Sequence, residues 1–212
     1  MSEGLRERKK RQTRQHISDV ATGLFLERGF DAVTIAEVAE AADVSVNTVY
    51  NYFEAKEDLF LDRSKSVVDR LSRFVRGRDK GESASDAVFR ELRELVETVS
   101  PAVGLSEGYA RFMEVVHGSH TLGSRVAFLQ HEVLVDLDRT LREETGADKD
   151  DTLPTLVAGQ LSWVHGTLMG RITQRMLGGA EPGPASREAL VLLDDMEAVL
   201  GEKVLKYAVR DA

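Results

Sequence analysis

Residues 34–53, Thr34-Ile-Ala-Glu-Val-Ala-Glu-Ala-Ala-Asp-Val-Ser-Val-Asn-Thr-Val-Tyr-Asn-Tyr-Phe53, read as two short helices joined by a tight turn. Thr34 precedes an apolar-periodic run and Glu37 follows three residues later. The hydroxyl can accept from the Glu37 amide while the carboxylate reaches back, so the first helix starts near Ile35. Val38, Ala39 and Ala42 share one face, and Asp43 stands where the turn needs a positive φ, which Asp tolerates better than most side chains. Val44 follows as an anchor, and Ser45 caps the second helix. On that helix Val49 and Phe53 face inward, leaving Val46, Asn47, Thr48, Tyr50, Asn51 and Tyr52 to project outward or sideways.

A short helix standing proud of a small support suits the major groove of DNA, which admits one α-helix. The flanking sequence is in register with that reading: Thr13-Arg14, Ile17, Ala21, Leu24-Phe25, Gly29-Phe30, Thr48, Tyr50, Tyr52-Phe53, Lys56 and Leu59. Together with the central stretch these residues resemble the TetR family of bacterial transcriptional regulators over about residues 10 to 60. Two positions depart from the family pattern: Asp43 replaces the usual Gly, and Ala55 replaces a better capping residue. The resemblance implies a homodimeric repressor released from a palindromic operator in double-stranded DNA by a small-molecule effector. Val46, Asn47 and Asn51 then face base edges, Thr48, Tyr50, Tyr52 and Lys56 hold phosphates, and Arg14 and Thr34 complete the DNA-binding set. A regulator of the same fold answering to a protein partner, and a helical enzyme, are the alternatives.

Composition bounds the rest. The 212 residues suffice for one large or two modest domains, and 42% hydrophobic with 30% charged residues are globular values. No run of about 18 apolar residues could cross a bilayer, and the polar, basic first 14 residues do not read as a secretory signal. The absence of cysteine removes disulfides and thiolate metal sites and fits a cytoplasmic location. The net charge of −8 is unevenly distributed: Arg6, Arg8, Lys9, Lys10, Arg11 and Arg14 outweigh Glu3 and Glu7 in a basic arm over residues 1–12 and its junction with the first helix. Such an arm can reach phosphates.

Along the chain, Ile17, Val20, Ala21, Leu24 and Phe25 predict a helix over about 13–28 that stops at Gly29. A single helix is expected from about Lys56 to Arg76, then helices over about 84–100, 106–117, 121–145, 153–177 and 185–209, separated by Gly, Pro and Asp breaks. With no alternating strand pattern the fold class is all-α, about nine helices in all. Residues 1–55 form a helix-turn-helix DNA-binding domain and 56–212 a larger effector-binding and dimerisation domain. The surplus apolar face of the last helix points to a second copy as well as a core, with Leu161, Leu168, Leu193, Met196, Leu200 and Val204 as the dimer interface.

No glycine elbow, phosphate loop or paired-carboxylate motif is present, so no catalytic residue is assigned and no cofactor is expected. His117 and His120 are three residues apart, but no Cys or carboxylate stands at a matching offset, so no metal site is assigned. Tyr109, Phe112, Met113, Phe128, Trp163 and Met169 fall on three consecutive predicted helices, with His117, Gln130, His131, Gln160 and His165 as polar groups among them. The resemblance implies a pocket in this domain for a small-molecule effector, expected to be apolar or aromatic, and the candidates for its lining are Tyr109, Phe112, Met113, His117, Phe128, His131 and Trp163.

Overall fold

The computed structural model describes residues 4–62 and 64–211, and every regular element among them is helical. The chain forms two compact units: unit 1 takes residues up to Ser64 together with Glu114–Arg125, and unit 2 takes Lys65–Met113 and Val126–Ala212. No helix among the described residues is long and apolar enough to cross a membrane.

Unit 1 is built on α1 (Leu5–Arg28), α2 (Ile35–Ala41), α3 (Val46–Tyr52) and α4 (Lys56–Phe60). Helix α1 begins eight residues earlier than its apolar stripe requires, so most of the expected arm is helical. The Arg-Glu-Arg-Lys-Lys-Arg-Gln run contains only good helix formers, and nothing in it breaks a helix. Gly29, at φ 84°, ends α1 and donates its N–H to the Phe25 carbonyl. Ile17, Ala21, Phe25, Phe30, Val38, Val49, Phe53, Leu59 and Phe60 are buried together. The Phe25 ring sits 5.0 Å from Phe30 and 5.7 Å from Phe60, the latter edge-on. Each such pair contributes about 0.5–1.5 kcal/mol beyond burial.

The stretch expected to be one helix from Lys56 to Arg76 is three: α4, α5 (Ser64–Val68) and α6 (Arg70–Arg76). Leu59, Phe60 and Leu61 are all buried. Three consecutive side chains span about 200° of a straight helix, more than one core contact covers, so the chain turns after Phe60 instead.

Unit 2 continues with α7 (Ala84–Glu97), a 3₁₀ turn (Pro101–Val103), α8 (Tyr109–Gly118), α9 (His120–Thr145), α10 (Leu153–Leu177), α11 (Pro182–Val199) and α12 (Glu202–Leu205). Helices α8 and α9 each give residues to both units. Within unit 2, α11 packs on α7 and α10, and α6 packs on α7. Their shared core includes Leu71, Val88, Phe89, Leu92, Leu137, Leu141, Leu161, Leu168 and Leu193. The expected terminal helix breaks at Leu200 and Gly201, whose backbones are extended. The break lets Val204 turn inward, where its carbonyl accepts from Ser85 Oγ at 2.8 Å.

This core takes in the residues expected at the dimer interface. Leu161, Leu168, Leu193, Met196 and Val204 are buried in their own chain, and Leu200 is half-buried against the same core. Their stripe is taken up largely by α7, α10 and α11 packing on one another. The exposed apolar residues of the same helices are Leu156, Trp163 and Leu177 on α10 and Val191 and Val199 on α11.

Candidate functional site

The short helix α3 is held at both ends. Ahead of it, Asp43 adopts φ 53°, and the Val44 N–H reaches the Ala39 carbonyl at 3.0 Å, closing the turn after α2. Ser45 Oγ then accepts from the Thr48 N–H at 3.0 Å. Behind α3, Arg14 of α1 donates through Nη1 to the Tyr52 carbonyl, through Nε to Asp62 at 2.7 Å, and lies 4.2 Å over the Phe53 ring. Val49 and Phe53 lock the inner face of the helix. Outward, Val46, Asn47, Tyr50 and Asn51 are exposed, while Thr48 and Tyr52 are half-buried.

The other assigned residues are more occupied. Thr34 caps α2: its hydroxyl accepts the Glu37 N–H at 3.2 Å, while its own N–H and hydroxyl donate to the Glu37 carboxylate at 2.7 and 2.8 Å. The Thr34 N–H first, then Arg28, hold the Glu37 carboxyl down at about 2. Lys56 turns inward, donating to the Phe30 carbonyl at 2.6 Å with its ammonium 4.3 Å from the Phe30 ring. Burial lowers its pKa. Arg14 and Lys56 therefore brace the support of α3, a role that their sequence positions alone did not reveal. The basic residues Arg6, Arg8, Lys9, Lys10 and Arg11 are all exposed along α1.

The seven predicted pocket residues separate. Tyr109 and Phe112 stack at 6.5 Å, and Met113 beside them is buried. Phe128, His131 and Trp163 face outward, Trp163 at 48% exposure, and His117 is exposed near the end of α8. On α9 the inward positions are Leu129, Val133 and Leu137, which leaves Phe128 and His131 on the far side. An open cleft of about 620 Å³ runs between Ser106, Gly108, Ala110 and Met176, Gly179, Pro182, and includes none of the seven.

Three polar groups of unit 2 lie deep instead. Tyr109 donates or accepts at Thr173 Oγ1 across 2.9 Å. Arg70 is 5% exposed and donates through Nη2 to the Ala102 carbonyl at 2.7 Å. His165 is fully buried, and burial first, with the neighbouring Arg70 charge second, pushes its pKa down to about 4. Arg70 was missed in the sequence, although a signal exists: it stands three residues after Val67 and four before Phe74, on the apolar stripe. Among the described residues no group of three His, Cys, Asp or Glu side chains could hold a metal ion.

The family model of bacterial regulatory proteins, tetR family, matches residues 17–62, the part that builds and braces α3. The transcriptional repressor DhaR of Mycobacterium sp. (strain GP1) is 41% identical over 175 residues, covering 75% of this chain and 82% of that one. The chain belongs to the TetR family. It is a DNA-binding helix-turn-helix transcriptional regulator, and regulators of this family are not enzymes. Four further relatives align over 67, 48, 30 and 50% of their own lengths, so this chain spans about half the length of several TetR-family relatives it matches. Among solved structures, NalD of Pseudomonas aeruginosa, the secondary repressor of a multidrug efflux pump, matches with TM-score 0.59 at 19% identity, covering 91% of this chain and 98% of that one. A complex of SmeT with triclosan matches with TM-score 0.57 at 16% identity, covering 91% and 94%. At these identities the two structures support the TetR-family fold alone.

Proposed function

We propose that this chain is a homodimeric repressor that binds a palindromic operator through α3 and is released by a small molecule held in unit 2. The observation that carries the DNA part is the face of α3: Val46, Asn47, Tyr50 and Asn51 stand exposed on a helix whose ends are capped and whose inner face is locked. Asn47 and Asn51 carry amides that can pair with adenine edges, Val46 can meet a thymine methyl, and Thr48, Tyr50 and Tyr52 can reach phosphates. The exposed cations of α1 add a sequence-independent attraction. Unit 1 does the reading and unit 2 the sensing and pairing, in the cytoplasm, where the operator is.

A single short helix reads one half-site, and two copies must present theirs about 34 Å apart. The pairing surface we favour is the outer face of α10, where Leu156, Trp163 and Leu177 recur at multiples of seven residues, joined by Val191 and Val199 of α11. Trp163→Glu combined with Val199→Glu should give monomers by sedimentation that no longer shift operator DNA; a dimer of unchanged strength rejects this surface. The effector part draws on the family fold, in which SmeT holds triclosan. A DNA fragment from upstream of the gene itself should be shifted by the purified protein, and an authentic effector should abolish the shift. Linkage then requires saturating operator to weaken effector binding by the same factor. An effector whose affinity ignores the operator would sink the release mechanism while leaving DNA binding intact.

A further inference from the structure

Unit 2 buries two arginines and treats them differently. Arg78, 4% exposed, donates to the Ala208 carbonyl at 3.0 Å, the Val75 carbonyl at 2.6 Å and the Glu144 carboxylate at 2.6 Å. Arg70, just as buried, has only the Ala102 carbonyl, and its Nη1 has no hydrogen-bond partner among the described residues. His165, within electrostatic reach of Arg70, has no partner on either ring nitrogen among the described residues, at zero exposure. One turn back along the same face of α10, Ser162 Oγ is likewise buried without a partner. Buried polar groups are almost always paired, because leaving one unpaired forfeits its hydration for nothing. Here an unpaired cationic N–H and an unpaired imidazole belong to the same core, close enough that the Arg70 charge acts on the ring.

We propose that Arg70 and His165 form the recognition site for the carboxylate of a small monocarboxylic acid with an apolar body. This rests on the reading that unit 2 binds an effector, and names the chemistry that the effector carries. One carboxylate oxygen accepts from Arg70 Nη1, and the other accepts from an N–H of His165. Both groups present donors, and an arginine is charged at every working pH, so the complement is a single negative charge with two acceptor oxygens. A neutral imidazole beside one guanidinium gives the site one positive charge, which a monoanion balances and a phosphate dianion overshoots. Tyr109, tied to Thr173 at 2.9 Å, and Phe112, stacked on it, offer an apolar wall, and Met169 stands on α10 between His165 and Thr173.

The test uses the full chain with octanoate, phenylacetate and 4-phenylbutyrate, each set against its primary amide, by titration calorimetry. At least one acid should bind about ten- to a hundredfold more tightly than its amide, the range for a charged hydrogen bond made in a buried site. Arg70→Met and His165→Leu should each erase that preference by weakening acid binding far more than amide binding. Thermal melting without ligand separates a binding role from a structural one. Removing an unpaired polar group should leave the melting temperature of His165→Leu equal to or above the parent's, whereas Arg78→Met should lower it. A His165→Leu protein that melts as far below the parent as Arg78→Met overturns the proposal, because the ring would then be part of the scaffold. If amides bind as well as acids, the acid site is overturned and the effector reading of unit 2 stands. If neither class binds, the acid site is overturned, and the effector reading is judged separately by release of operator DNA.

Discussion

Unit 1 and unit 2 handle buried polarity in opposite ways. In unit 1 the buried hydroxyls of Ser18 and Ser119 donate to the Leu59 carbonyl and the Asp31 carboxylate, the half-buried Arg14 and Lys56 are also paired within the unit, and among the described residues no buried side-chain nitrogen or oxygen there is left over. The outcome is a rigid presentation of α3, with its unsatisfied donors and acceptors confined to the outward face. In unit 2 the core is larger, yet Arg70, Ser162 and His165 keep buried atoms unpaired. A reading head benefits from being finished before its target arrives. On the effector reading proposed above, a sensing core keeps recognition groups whose partners come from outside, and it gives up stability for that.

The sharpest way to break this contrast is to compare the two buried arginines of unit 2. Arg78→Met strips hydrogen bonds from two backbone carbonyls and leaves the Glu144 carboxylate without its cation. It should cost about 3 kcal/mol in urea unfolding, while Arg70→Met should stay within about 1 kcal/mol of the parent. Equal losses would mean that Arg70 is as structural as Arg78.

The second effect is a pH dependence. The folded His165 pKa of about 4 lies below the ordinary 6.5, so between those values the unfolded chain binds a proton that the folded chain refuses. No penalty exists above pH 6.5. As pH falls from 6.5 to about 4 the folded state loses about 3 kcal/mol from this group alone. Urea midpoints of the parent and of His165→Leu, taken from pH 7 to pH 4.5, should diverge with the parent falling faster. Parallel curves would show that the ring is not held neutral by burial.

The smallest effects separate bracing from reading inside unit 1. Lys56→Met breaks the bond to the Phe30 carbonyl and should cost about 1 kcal/mol of stability with an unchanged salt slope of operator binding. Asn47→Ala should leave stability within about 0.5 kcal/mol, and weaken binding by about 1–3 kcal/mol at one base pair per half-site. A fall of about one in the salt slope for Lys56→Met would transfer that residue from the support to the phosphate contacts.

Much of unit 1 was legible in advance because its signals are local. The Thr34–Glu37 box, the Ser45 cap, the positive φ at Asp43 and the stop at Gly29 each act within about four residues, so spacing alone specifies them. The inward Val49 and Phe53 and the outward Val46, Asn47, Tyr50 and Asn51 follow from helical periodicity, as do the bounds of α10. Tertiary structure decided the rest. An apolar stripe that is too wide says that a helix makes two contacts, but not which contact is its own core. Leu161, Leu193 and Met196 went inside, and Leu156, Trp163 and Val191 stayed outside. A long cationic side chain near a helix end can snorkel to solvent or fold back. Lys56 folded back because the Phe30 carbonyl, 26 residues away in sequence, lies within its reach. Arg70 and His165 are 95 positions apart, and only the packing of α6 and α10 into one core brings them together, since no pattern along a chain registers a partner that distant.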